Sequence, residues 1–250
     1  VVRRNNILDG LFTAVGTLTV IPVGERPPAF KTSLPWFPVV GFVTGAVVFA
    51  PALLLRMPGA LEALLVGFVG VVLDVLLTGG MHLDGLGDTA DAFFSMTGRE
   101  RRLEIMKDPR LGSYGVIAVV LFVLGKMIAL GVLASRGCWG EVVAAYALSR
   151  ASQVQLLGFN DSARGGEGTG GPFIDSAGPG DALVAYAVCA LILSPFFSAV
   201  LVLIFASCPL LTWLFGRVVS GRFGGVTGDV VGGGGEFALL SMLVVAVFAG

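Results

Sequence analysis

The chain has 250 residues, 55% of them apolar and 13% charged, with 37 glycines and a formal net charge of −1. A mean hydropathy of +0.90, with about half the charge of an average soluble domain, excludes a soluble globule, and a balance so close to neutral gives no electrostatic footprint for nucleic acid. The three cysteines, Cys138, Cys189 and Cys208, are odd in number and widely spaced, so neither a disulfide framework nor a zinc site follows.

In chain order, residues 6–21 come first. Leu8, Leu11, Phe12, Val15 and Leu18 recur at helical spacing with Asp9, Thr13 and Thr17 between them, ahead of Pro22. That pattern predicts a helix lying on the membrane surface. A cleaved signal peptide is the alternative, disfavoured by the interrupted apolar run and the lack of a small-residue cleavage site. Apolar runs then lie near 35–56, 60–81, 115–135, 140–158, 182–194, 195–216 and 234–250. A spanning helix takes about 20 such residues. The expectation is therefore an all-α, polytopic membrane bundle of about seven spans, one membrane domain over residues 1–250. The stretch 182–216 is too long for one helix, and Pro195 is placed to break it.

Basic residues test this layout, because they concentrate in cytoplasmic loops. Arg3, Arg4, Arg26 and Lys31, then Arg99, Arg101, Arg102, Lys107 and Arg110, then Arg164, then Arg217 and Arg222 all fall on one side. Only Arg56 and Arg136 fall opposite, and Lys126 and Arg150 sit inside spans. The charged side is expected to be cytoplasmic and the C-terminus opposite.

The longest polar connection, residues 79–114, is then a cytoplasmic segment rich in Asp and Arg. Asp84, Asp88 and Asp91 stand at i, i+4 and i+7, within about 60° on a helix. Three carboxylates so close repel unless a cation holds them, and magnesium suits acids that leave part of the coordination shell to substrate phosphates. On spacing alone, a solvated helix end carrying three unrelated acids stands level with that reading. The basic residues 99–110 supply phosphate donors, and Gly79, Gly80, Gly85 and Gly87 let backbone approach a ligand. Gly224-Gly225-Val226-Thr227-Gly228-Asp229 repeats the glycine-plus-acid pattern and offers Asp229 as a fourth carboxylate, although a flexible connector, which Gly232 to Gly235 resemble, reads the same way. His82 is the only histidine; metal ligand, general base and ordinary interfacial residue are its options. Asp74, Lys126 and the group Ser149, Arg150, Gln153 lie inside spans, where polar groups face a cavity or a partner. Asp74 with Lys126 or Arg150 reads as a structural pair, or as the midmembrane site of a transporter. Arg164 reads as a phosphate contact or as part of a plain glycine-rich loop.

The run Gly80-Met81-His82-Leu83-Asp84-Gly85-Leu86-Gly87-Asp88-Thr89-Ala90-Asp91 continues with Arg102-Leu103-Glu104-Ile105-Met106-Lys107-Asp108 and Gly112-Ser113-Tyr114-Gly115. Together they resemble the signature of the cobalamin synthase family, the adenosylcobinamide-GDP ribazoletransferases. Leu18-Thr19, Ile21-Pro22, Pro38-Val39-Val40-Gly41, Ser149-Arg150 and Gly224 to Asp229 extend the resemblance over most of the chain. Val20, where an arginine is expected, and Gly233 to Gly235, in place of a more varied helix start, depart from it. CDP-alcohol phosphotransferases and prenyltransferases also carry aspartates at such spacing, but their resemblance does not extend over residues 79–115.

The resemblance implies a multi-pass enzyme of the cell inner membrane, with active-site loops cytoplasmic. Such an enzyme joins adenosylcobinamide-GDP to α-ribazole or its 5′-phosphate and releases GMP, assembling the nucleotide loop of vitamin B12. It further implies magnesium held by Asp84, Asp88, Asp91 and Asp229. Asp84, Asp88 or His82 would act as catalytic groups, and Arg102, Lys107, Arg110, Arg164, Gly85 and Thr227 would bind substrate. Expected partners are the two substrates and the lipid bilayer, with no nucleic acid; a homo-oligomer stays open.

Overall fold

A computed structural model describes residues 7–54 and 59–250; Arg3, Arg4 and Arg56 lie outside the described residues. The chain order is α1 (Ile7–Leu18), α2 (Phe30–Ser33), α3 (Phe37–Leu54), α4 (Ala60–Thr78), α5 (Met81–Phe94), α6 (Arg99–Ile105) and α7 (Ser113–Ser135). There follow α8 (Trp139–Phe159), α9 (Gly171–Ser176), α10 (Pro179–Leu193), α11 (Ala199–Phe223) and α12 (Gly228–Ala249). Among the described residues there is no named strand, only an isolated parallel bridge between Ser162 and Val226.

Among the described residues, six helical segments are long and apolar enough to cross a membrane. A seventh helix of matching length, the 21-residue α8, is not apolar enough to join them. The reason lies in its position, because α8 packs against α3, α10, α11 and α12 and is buried almost from end to end. A helix surrounded by protein has no lipid to satisfy, so Ser149, Arg150, Ser152 and Gln153 are tolerated at its waist. The chain is thus a polytopic helical membrane bundle. Its shorter N-terminal helix α1 turns Gly10, Ala14 and Leu18 inward and leaves Ile7 and Leu8 exposed.

The expected break at Pro195 is present as a 3-10 turn over Ser194–Phe196. The start of the last span differs from expectation. Residues 232–235 are no connector, since α12 begins at Gly228 and all four glycines are buried within it. A β-carbon at Gly233 would lie 3.0 Å from Leu86 Cα, one at Gly234 2.3 Å from Leu156 Cδ1, and one at Gly235 2.5 Å from Gln153 Nε2. Each glycine costs about 1 kcal/mol of helix propensity, and close helix contact offsets that cost.

Glycine pairs also turn the chain into both acid-bearing helices. Gly79 and Gly80, at φ 66° and 71°, join α4 to α5, and Gly224 and Gly225, at φ 72° and 146°, lead from α11 to α12. These backbone angles are ones that side chains with a β-carbon rarely adopt.

Three charges inside the bundle form one cluster. Lys126 on α7, fully buried, lies 2.8 Å from Asp74 Oδ2 on α4 and 2.8 Å from Glu236 Oε2 on α12. The structural pairing of Asp74 with Lys126 is therefore present, with Glu236 as an additional member.

At one end of the bundle the polar connections interlock. Arg99 Nε donates to Phe223 O at 2.7 Å, and Arg99 Nη2 to Ala163 O at 3.3 Å. Ala163 N donates to Val226 O at 2.9 Å. Segments 79–112, 160–178 and 224–229 thus share one mouth. The turn after α7 lies at the other end with the C-terminus, where Arg136 donates to Val247 O at 2.7 Å.

Candidate active site

The acids converge because two helices approach unusually closely. A β-carbon at Gly85 would stand 2.7 Å from Asp229 O, and Gly233 faces Leu86. Glycine on both sides lets α5 lie against the first turn of α12. The Thr227 hydroxyl accepts from Val230 N at 3.2 Å and caps that turn. Gly85 and Thr227 therefore build the site through helix contact and capping.

Asp84 is exposed on this face and Asp88 partly buried beside it. Burial, followed by the neighbouring charges of Asp84, Asp229 and Asp91, pushes the Asp88 carboxyl up to about 7, with Arg164 pulling the other way. A carboxylate so crowded by like charge marks a site built to receive a cation or a proton.

Asp91 is occupied differently. Its carboxylate accepts from Gly112 N at 2.6 Å and Gly115 N at 2.9 Å, at the start of α7. Satisfying the unpaired amides of a helix start is a structural task, and it engages both carboxylate oxygens of Asp91. Among the described residues no three of His, Cys, Asp or Glu come close enough to hold a metal by themselves. Magnesium usually takes only one or two carboxylates and completes its shell with water and substrate phosphate. Asp84 and Asp229, with their charge only partly compensated, fit that donor set.

His82 is 4% exposed, and its Nε2 lies 3.5 Å from an Arg150 guanidinium nitrogen. Burial first, then the charges of Arg150 and Lys126, hold its imidazole well below the usual range. Arg150 can only donate, so Nε2 accepts and Nδ1 carries the hydrogen. A neutral ring with its lone pair already committed is poorly suited to act as a base.

The basic residues separate into groups. Arg164 reaches Asp229 Oδ2 at 3.5 Å and Leu103 O at 3.4 Å, both long, and its buried Nε has no partner among the described residues. It is the guanidinium poised beside the acids. Arg102 spans Ser95 O at 3.3 Å and Arg222 O at 3.5 Å, tying α6 to α11. Lys107 is 60% exposed and 3.8 Å from Glu167. Arg110 pairs with Asp108 at 2.8 Å, and that contact holds the Asp108 carboxyl at about 2. It lines a separate cavity with Asp91 and Arg101, so the structure does not bring it to Asp84, Asp88 and Asp229.

Sequence reasoning missed Phe173 and Thr169, which close a cavity beside His82 and Asp229; nothing marks them before the loop folds back. It also missed Glu236, for which a glutamate within an apolar run is signal enough.

A family model described as cobalamin-5-phosphate synthase matches residues 10–247. The chain belongs to this family. The family assignment makes it a transferase of cobalamin biosynthesis, set in a multi-pass helical bundle. A relative from Prosthecochloris aestuarii, named adenosylcobinamide-GDP ribazoletransferase, is 41% identical over 92% of this chain and 94% of its own length. One of the same name from Chlorobaculum parvum is 39% identical over 96% and 95%, and one from Caldanaerobacter subterraneus 34% identical over 93% and 95%. No solved structure matches.

Proposed function

We propose that this family member joins adenosylcobinamide-GDP to α-ribazole or its 5′-phosphate and releases GMP, working at the cytoplasmic face of the inner membrane. The observation that carries the reading is the meeting of Asp84 and Asp88 on α5 with Asp229 on α12, beside Arg164. The basic residues of residues 99–110, 164 and 217–222, against Arg136 at the other end, support the orientation.

In the step, the oxygen of a ribose hydroxyl that a 5′-phosphate leaves free bonds to the phosphorus that carries cobinamide. The bond from that phosphorus to the bridging oxygen breaks, and GMP leaves with the electron pair. Asp88, partly buried between Asp84 and Asp229, takes the hydroxyl proton. Arg164 exchanges its long contact with Asp229 for a phosphate oxygen. Asp84 and Asp229 would hold magnesium, which supplies charge neutralisation at the diphosphate. Phosphoryl transfer of this kind is mainly positioning and electrostatics.

The test is GMP release by the reconstituted protein given both substrates, with magnesium or with excess chelator. Release that needs both substrates and stops with chelator is expected; release without the acceptor, or unaffected by chelator, overturns the corresponding part.

A further inference from the structure

A cavity of about 130 Å³ lies between α8 and α11, close to the ends of both helices that face the mouth. A single water needs only about 10–15 Å³, so a hydrated phosphate group fits. Phe159 and Trp213, both more than half exposed, flank the cavity. Leu210, Trp213, Leu214, Arg217 and Val218 recur at helical spacing and are all exposed, so they form one face of α11. The apolar run of this span ends at Gly216, and Arg217 is the first charge after it. The cavity therefore opens sideways at the edge of the hydrocarbon, with an aromatic residue in the position typical of that edge.

Two polar side chains of the lining are spent on the protein itself. Asn160 Nδ2 donates to Leu156 O at 3.0 Å, and its Oδ1 accepts from Ser220 at 2.7 Å. Gln155 Nε2 donates to Pro209 O at 3.0 Å, and its Oε1 accepts from Tyr186 at 2.6 Å. The other two are not spent. Thr212, 1% exposed, lines the cavity with a hydroxyl that has no hydrogen-bond partner among the described residues. Arg217 lines it too, and it alone among the described lysines and arginines makes no hydrogen bond, ion pair or ring contact. Its neighbour along the helix, Arg222, lies over the Phe93 ring at 4.8 Å. A cation at the edge of hydrocarbon is costly unless it reaches water or an anion.

A free guanidinium, a free hydroxyl deeper in the membrane and an exposed apolar face match a phosphodiester that arrives with acyl chains. We infer that this cavity binds the headgroup of an anionic phospholipid. Arg217 donates to the phosphate, a charge-assisted contact. Thr212, five residues or about 7.5 Å further into the span, meets the ester oxygens, which lie below the phosphate in such a lipid. The acyl chains run along Leu210, Trp213 and Leu214. Basic pockets between spanning helices take anionic headgroups in this way. The occupant is lipid, not soluble phosphate, because the face that carries Arg217 is otherwise apolar and turned outward from the bundle. The inference goes beyond the transferase reading and does not depend on it.

The full chain with Trp36→Phe and Trp139→Phe keeps Trp213 as its single tryptophan. It is reconstituted in phosphatidylcholine vesicles that contain brominated phosphatidylglycerol or the same mole fraction of brominated phosphatidylcholine, and quenching of Trp213 reports which lipid lies beside it. Phosphatidylglycerol is expected to be preferred about fivefold, the effect of one basic residue on an anionic lipid, and Arg217→Gln to abolish that preference. A second readout leaves the tryptophans in place, which keeps the test open should their replacement unfold the chain. Phosphatidylglycerol retained by the detergent-washed protein, counted by mass spectrometry, is expected to fall at least about twofold in Arg217→Gln and in Thr212→Val, each of which removes one polar contact. Equal quenching by the two lipids, a preference that survives Arg217→Gln, or unchanged retention in either variant overturns the inference. So does a preference that millimolar inorganic phosphate abolishes while chloride at the same ionic strength does not, since the ligand is then a soluble anion.

Discussion

Two clusters of charge, one inside the bundle and one at its mouth, use the same residue types to opposite ends. Around Lys126 the acids are compensated, with Asp74 and Glu236 each at 2.8 Å, all three side chains no more than 4% exposed, and the buried Arg150 guanidinium acting on both acids as a second cation. At the mouth, Asp84, Asp88 and Asp229 have Arg164 beside them, 3.5 Å from Asp229 alone. Charge buried in apolar surroundings must be matched to be tolerated, so the inner cluster secures α4, α7 and α12 against one another. Charge left partly unmatched at an open mouth stays available to a ligand. The comparison teaches that the informative quantity is the residual imbalance after pairing, rather than the number of acids.

Breaking the inner cluster should have the largest effect. Lys126→Met strands two buried carboxylates, and a loss of about 3–5 kcal/mol in stability is expected, read as failure to recover folded protein or as a large drop in the melting point in detergent. Asp84→Asn should do the converse, lowering turnover by about 10²–10³-fold while the melting point stays near that of the wild type. If Asp84→Asn unfolds the protein, or Lys126→Met folds and only slows it, the division between the two clusters fails.

A third expectation sharpens the mouth alone. Asp88 sits near 7, well above the ordinary carboxylate value, so its proton is bound below that pH and released above it. With Asp88 as the base, kcat/KM at low magnesium should fall about tenfold per pH unit below 7. Saturating magnesium, which adds positive charge beside it, should move that limb to lower pH. A profile flat from pH 5.5 to 8 in the wild type argues against Asp88 as the base. The smallest effect belongs to Arg110, which is exposed and paired with Asp108 outside the acidic mouth. Arg110→Gln should leave turnover within about a factor of two, since exposed ion pairs contribute little; a hundredfold loss in a rate assay would return Arg110 to the phosphate site.

Much of the fold was legible because bilayer thickness imposes a length on every lipid-facing helix. The break at Pro195 was equally visible, since proline cannot continue the helix ladder. Of the site, Asp84, Asp88 and Asp229 were readable from spacing and glycine context, as was the pairing of Asp74 with Lys126. Asp91 looked identical to its neighbours on a helical wheel, and only the fold reveals that it is consumed by Gly112 and Gly115 amides. Gly232 to Gly235 read as a linker because propensity knows nothing of the helices pressed against them.

The sequence by itself determined the membrane class, the positions of most spans and the family. These depend on hydropathy and on contiguous motifs, which survive without knowledge of any neighbour. Tertiary structure alone decided that α8 is the inner helix, that Arg150 commits His82 Nε2, that Asp91 caps α7, and that Phe173 folds over the cavity beside Asp229. Each of those outcomes is a contact between residues far apart in the chain, and a contact is set by which surfaces pack, a property that no local pattern carries.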